Sequence, residues 1–184
     1  SYEKACRNFG GSFIEFTEHA ALSLNPFTLV EDIDEDMELL QPLLAQMVSP
    51  REPLDGFQYS TLGAAIKKVW KAKGNTMKVS DVHDLLATGR LDEDSRDEDR
   101  RLKDLAAMLH PYTREGVYGK YFESDATIDF SSDFIVLELE ELKAKKDLQT
   151  VVLLIMMYRI TREMYFSRER KKIVIIDEAW DLLS

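Results

Sequence analysis

The chain has 184 residues, 45% of them hydrophobic, which is ample for one good-sized core or two small ones, and a formal net charge of −10, so its average surface repels phosphate backbones and a broad nucleic-acid-binding face would need strong local segregation of its cations. A single cysteine, Cys6, excludes an internal disulfide framework and fits a reducing compartment, and His19, His83 and His110 stand far apart without ligand-like spacing. No signal-peptide pattern opens the chain and its longest apolar run, Val151 to Tyr158, is too short to cross a bilayer, so a soluble chain is expected.

In chain order, the first thirty residues predict a helix end followed by strands. Phe13-Ile14-Glu15-Phe16 alternates after Gly10-Gly11, and Leu22 to Phe27 is a short, Pro-bearing piece. From Asp32 the pattern takes helix period, with Ile33, Met37, Leu40, Leu44 and Met47 recurring behind an acidic start; Pro42 predicts a kink or interruption. A second helix carries Tyr59, Leu62, Ile66, Val69 and Trp70 on one stripe and ends near Gly74 as a left-handed cap. A third has Ser80 as its N-cap, Val82, Leu85 and Leu86 on its apolar face, and Gly89 as its stop. A fourth spans about Asp97 to Leu109, with Leu102, Leu105, Ala106 and Leu109 inward and Pro111 ending it. The acidic run Asp92 to Asp99 before it is read as a solvated loop and helix start.

After Gly116 the strand signals return, at Thr127 to Phe130 and in Phe134 to Leu139, which is apolar almost throughout, as in a parallel strand buried on both faces. A long helix, about Lys145 to Arg168, then forms the crossover of a β-α-β unit, right-handed by the usual chirality. The basic cluster Arg162 to Lys172 reads as a solvated helix end. The fold class is α/β, with a layer entered at residues 1–31, interrupted by an all-helical insertion over 32–113, and resumed over 114–184.

The last dozen residues, Lys171 to Leu182 (KKIVIIDEAWDL), have the form of a Walker B segment. A strand in such a site delivers one carboxylate to a Mg²⁺ shell and a second to the attacking water, which assigns Asp177 to the metal and Glu178 to the water. The same string also fits a strand followed by an acidic helix N-terminus. No G-x-x-x-x-G-K-[ST] stretch occurs, and Gly116-Val-Tyr-Gly-Lys120-Tyr121 has the wrong spacing and no Ser or Thr after the lysine.

Further residues carry a resemblance. Ser1-Tyr2-Glu3-Lys4 with Gly10-Gly11 and Phe13-Ile14-Glu15-Phe16, Leu24-Asn25-Pro26-Phe27, Tyr118-Gly119-Lys120-Tyr121-Phe122, Val136 to Leu142 (VLELEEL), and Ile176-Asp177-Glu178-Ala179-Trp180 follow one another in this order over the whole chain. In these pieces the chain resembles the F-type conjugative transfer ATPases, within the large ATPase family of type IV secretion systems. The resemblance implies a RecA-like P-loop NTPase core with a helical insertion, ATP and Mg²⁺ as cofactors of the complete protein, and a role in pilus assembly and transfer of DNA or protein. It also implies a cytoplasmic protein peripheral to the bacterial inner membrane, hexamers of like subunits, and other secretion components as partners. By the same resemblance Asp177 is the Walker B aspartate and Glu178 the general base. The family's Walker A lysine and Ser or Thr have no counterpart here and are expected upstream of Ser1, so this is expected to be an excised segment that neither binds nucleotide nor hydrolyses ATP alone, and in which exposed sheet edges favour dimerisation.

A second reading makes the helical insertion, 32–113, a protein-protein interaction module for assembly of the secretion machinery; its bland counterpart is a covering layer for the core. Smaller features take ordinary readings: Glu138, Glu140 and Glu141 cap and solvate a strand end, Trp180 packs its helix, and Tyr118, Tyr121 and Phe122 anchor a loop to the core. Cys6 has no partner that would make it a nucleophile.

Overall fold

The computed structural model describes residues 2–17, 20, 22–92, 97–128, 132–166, 173 and 175. The chain opens with α1 (Tyr2–Asn8), turns at Gly10 and enters β1 (Ser12–Glu15). Gly10 makes that turn with φ of 68°, a backbone region that Gly occupies without steric cost. A Cβ on Gly11 would lie 2.6 Å from the Phe134 carbonyl oxygen, so only Gly lets the two chain segments meet there. β1 pairs in parallel with β2 (Ile135–Glu138), Ser12 opposite Ile135 and Glu15 opposite Glu138. This is the expected parallel sheet. All four β2 residues are half-buried, so β2 is not hidden on both faces as its apolar sequence suggests.

The residues 22–27 form no strand. Pro26 opens a turn, and the preceding backbone bonds to distant segments: Leu24 N–H donates to the Tyr121 carbonyl (2.6 Å) and Ser23 N–H to Thr127 Oγ1 (3.0 Å). The Asn25 amide donates to the Met77 carbonyl at 3.0 Å. Leu24 and Phe27 are fully buried in this irregular segment, which these bonds make possible by satisfying its polar backbone. Residues 127 and 128 are likewise outside any strand, and 129 and 130 lie outside the described residues.

α2 (Ile33–Val48) starts at Asp32, whose carboxylate accepts from Asp34 N–H (2.8 Å) and Glu35 N–H (3.4 Å). It runs unbroken through Pro42, so of the kink or interruption expected there the interruption does not occur. A mid-helix proline costs ~3 kcal/mol or more, and the buried stripe of Leu40, Leu43, Leu44 and Met47 offsets it, since packing of an apolar face supplies most helical stability. α3 (Gly56–Lys73) begins with a full capping box: Gln58 N–H donates to Asp55 Oδ1 at 2.8 Å, and Asp55 N–H to Gln58 Oε1 at 3.0 Å. It ends at Gly74, with φ of 55°.

α4 (Val79–Ala87) is capped two residues earlier than Ser80 suggests. Lys78 is the N-cap residue, and its N–H donates to the Asp81 carboxylate at 2.8 Å. Ser80 is instead fully buried inside the helix, where its hydroxyl donates to Glu123 Oε1 (2.5 Å) and accepts from Arg114 N–H (2.9 Å). Gly89 stops the helix with φ of 71°. α5 (Arg100–Leu109) starts from Asp99 and buries the four predicted residues Leu102, Leu105, Ala106 and Leu109. Pro111 leads into one tight helical turn, His110–Tyr112. After β2 the chain forms α6 (Lys146–Phe166), which buries Leu148, Val151, Val152, Ile155 and Met156 in the same core as the other helices.

Candidate functional site

Asp177 and Glu178, the residues to which the sequence assigns metal and water, lie outside the described residues, as do the flanking Ile176, Ala179 and Trp180. What the structure describes are β2 and α6, the elements that precede them in the chain. Ile173 and Ile175, from the same terminal segment, are 85% and 86% exposed.

The Gly116-Val-Tyr-Gly-Lys120 stretch, which superficially suggests a phosphate loop, is a close-packed turn. A Cβ on Gly116 would stand 2.1 Å from the His110 carbonyl oxygen, and one on Gly119 would stand 2.0 Å from that of Thr113. Its glycines therefore serve backbone packing. Tyr121 and Phe122 are buried beneath it, and Tyr112 contacts both Tyr118 (5.2 Å between centroids) and Phe122 (5.6 Å), the loop-anchoring role expected of these aromatics. Glu138 also behaves as read: its carboxylate accepts from Glu140 N–H at 3.2 Å, closing the strand end.

One polar cleft lies at the junction of α4, α5 and this turn. Ser80, His83, Asp84, His110, Thr113 and Arg114 line it. The fold brings His83 and His110 to 5.7 Å between ring centroids although the sequence separates them, and Asp84 lies 2.9 Å from His83 Nδ1 and 3.1 Å from Arg114. Among the described residues no group of three or more His, Cys, Asp or Glu side chains is arranged to hold a metal ion.

The strongest charged constellation joins α2 to α6. Asp36 points inward from the first turn of α2 and Arg162 from the last turns of α6, their side chains 12% and 13% exposed. One guanidinium nitrogen of Arg162 donates to both Asp36 oxygens, at 3.0 and 2.8 Å, and to the Tyr158 hydroxyl at 3.0 Å. The Tyr158 hydroxyl in turn donates to Asp36 Oδ1 at 2.8 Å. Glu31 adds an ion pair to Arg162 at 3.3 Å. Burial, with the phenol hydrogen-bonded to the Asp36 carboxylate, pushes the Tyr158 phenol up to about 12. The Arg162 guanidinium is also raised: burial opposes its charge, but bonding to Tyr158 and the Asp36 charge outweigh that. Arg162 is therefore not the solvated helix-end cation its sequence suggests. Its partner Asp36 is 126 positions away, and no local pattern announces such a pair.

Comparison with known proteins adds three findings. The family model described as the TraG P-loop domain matches residues 1–184. Protein TraC of Escherichia coli (strain K12) is 33% identical over 187 aligned positions, which cover 99% of this chain and 21% of that protein. The solved structure of VirB4 of Thermoanaerobacter pseudethanolicus superposes with a TM-score of 0.77 at 16% identity, over 98% of this chain and 51% of that one. The chain thus spans about a fifth of the curated relative and about half of the solved one. The solved structure is a likeness of fold.

Proposed function

The chain belongs to the TraG P-loop domain family, in the type IV secretion and conjugation ATPases, and from that premise we propose that it is the Walker B half of an ATPase that drives pilus assembly and export of DNA or protein. The observation that carries this reading is the whole-chain family match together with the terminal KKIVIIDEAWDL string. Asp177 supplies a hard carboxylate oxygen, the donor type that Mg²⁺ takes. Bound Mg²⁺ neutralises charge on the terminal phosphates of ATP. Glu178 orients the attacking water and accepts its proton. The phosphate-cradling amides and lysine are absent from this sequence, so residues 1–184 alone neither bind nucleotide tightly nor hydrolyse it.

On this reading the protein works in the cytoplasm at the inner membrane, in oligomers of like subunits and with other secretion components. Among the described residues no helix is long and apolar enough to cross a membrane. Residues 1–31 and 114–184 form the core and 32–113 the insertion, which covers the core and offers its outer face to neighbouring subunits.

Two measurements test the proposal. Calorimetric titration of Mg²⁺-ATP is expected to show binding only when the chain is extended upstream through the P-loop; binding to residues 1–184 alone overturns the assignment of the phosphate site. In the complete enzyme, Glu178→Gln is expected to keep nucleotide binding and abolish turnover. Ordinary hydrolysis by that variant removes Glu178 from the mechanism.

A further inference from the structure

The Leu24-Asn25-Pro26-Phe27 motif has no task in the ATPase reading. Connecting segments normally run over the surface, because a buried one must find partners for its backbone polar groups. The segment 22–30 has neither helix nor strand, yet positions 23 to 27 are all buried. Its partners come from two directions. On one side they belong to the segment that leads back toward β2. Leu24 N–H donates to the Tyr121 carbonyl and Ser23 N–H to Thr127 Oγ1, while Thr127 N–H donates to the Ser23 carbonyl at 3.1 Å and Ala126 N–H to Thr28 Oγ1 at 3.0 Å.

On the other side stands the junction of α3 with α4, and there two asparagines reach across the same gap in opposite senses. A primary amide carries a donor and an acceptor without charge, so the buried Asn25 serves two backbone groups at once: its nitrogen donates to the Met77 carbonyl at 3.0 Å and its oxygen accepts from Phe27 N–H at 3.3 Å. Asn75, presented by the tight turn Gly74–Thr76, reaches back. Its amide nitrogen is shared among the carbonyls of Phe27 (3.4 Å), Thr28 (3.3 Å) and Val30 (2.6 Å). These bonds join positions 45 to 52 apart in the chain, with the whole of α2 and α3 between them. A helical layer joined to its neighbours only through its two chain ends would be free to hinge there, and bonds across its base remove that freedom. We infer that residues 23–30 are a strap, tied by Asn25 and Asn75, that makes the α3–α4 junction, the segment after β1 and the segment before β2 open and close as one unit. A contact made on the helical layer is thereby passed to both strands' flanking segments instead of being absorbed at a hinge. Only this last step, the contact with a neighbouring subunit, rests on the ATPase reading; the strap stands on its hydrogen bonds.

The test is hydrogen exchange of the complete ATPase, followed by mass spectrometry in peptides that cover 22–30, 74–79 and 119–128, since segments that open together lose protection together. Asn75 is exposed, so its substitution is expected to leave the fold intact. Asn75→Ala is expected to speed exchange about tenfold in all three peptides, the scale of one lost hydrogen bond, and to leave α5 unchanged. Asn75→Asp keeps the size and the acceptor but lacks the N–H donor, and is expected to match Asn75→Ala. Asn25→Asp is expected to give the same three-peptide pattern from the buried side; if it fails to fold, the Asn75 variants decide. Faster exchange confined to 74–79 overturns the common unit. Wild-type exchange in Asn75→Ala overturns the tie itself, and wild-type exchange in Asn75→Asp overturns the part given to the amide donor. The exchange pattern decides the strap whichever way the Mg²⁺-ATP titration falls, so failure of the ATPase reading and failure of the strap are read separately.

Discussion

The helical layer from α2 to the Gly119 turn and the two-stranded sheet both carry apolar residues at regular spacing, yet they reach different ends. In the layer Leu40, Leu44, Leu62, Ile66, Leu86, Leu105 and Phe122 are fully buried. At the sheet, β2 is half-buried throughout, and the Phe9 and Phe134 rings that meet edge-to-face beside it are 78% and 40% exposed. The layer finds its cover within the chain, with three or more helices closing on one another. A two-stranded ladder has two edges and little face, and it hides little apolar area by itself. Stability in this chain is therefore expected to reside in the helices, and the sheet to follow them.

That contrast predicts its own largest test. Phe122→Ala empties a fully buried position and is expected to lower unfolding stability by about 3–5 kcal/mol in urea titration. Phe134→Ala removes a partly exposed ring and is expected to cost less than about 1.5 kcal/mol, the scale of an aromatic pair contact. Equal losses would show that the sheet carries as much of the fold as the helices.

The junction of α6 with the layer supplies a test by pH. The Tyr158 phenol stands at about 12 in the folded chain, above its ordinary value near 10. A raised folded value means that the native state holds the proton more tightly. Stability from this group is fully present below pH 10 and is lost as pH rises toward 12, by about 2–3 kcal/mol over the window. Burial raises the Tyr112 phenol as well, so the wild type loses stability from two groups of the same sign. The difference between wild type and Tyr158→Phe isolates the share of Tyr158: the variant is expected to fall less steeply from pH 10 to 12. Parallel curves would mean that the Tyr158 phenol is not raised by its burial and its bond to Asp36.

What the sequence made legible follows from the range of the forces. The four inward residues of α5 and the stop at Gly89 follow a period or a backbone rule that acts within a few residues, and both stand in the structure. A parallel sheet is expected from the apolar run Phe134 to Leu139, and β2 does pair in parallel, with β1 as the partner the sequence left unnamed. Ser80 misleads because a small hydroxyl before an apolar run serves equally as a cap or as a buried tie, and Glu123 and Arg114, far along the chain, decide for the tie. Residues 22–27 mislead for the same reason, since their partners Met77, Tyr121 and Thr127 are remote. Arg162 is the clearest case. A cation near a helix end usually faces water, and only the arrival of Asp36 from α2 makes it a buried group. Asp177 and Glu178 lie outside the described residues, and their proposed roles are read from the terminal KKIVIIDEAWDL string.

The smallest expected effects sharpen the comparison at the helix ends. Asp55 closes a reciprocal capping box on α3, satisfying an N–H that would otherwise lack a partner, and Asp55→Ala is expected to cost about 1 kcal/mol. On α1, beside the sheet, Arg7 pairs with Glu3 at 2.7 Å, but the two side chains are 73% and 45% exposed. Water solvates both charges almost as well as they solvate each other, so Arg7→Ala is expected to change stability by less than about 0.5 kcal/mol. Thermal melts of the two variants at low and high salt separate the cases: the cap loss is a matter of backbone hydrogen bonding and persists at high salt, whereas any effect at Arg7 is screened away. A cap substitution that costs no more than the surface pair would mean that α3 is held by its neighbours alone, and that the order in the helical layer owes little to the local signals at its ends.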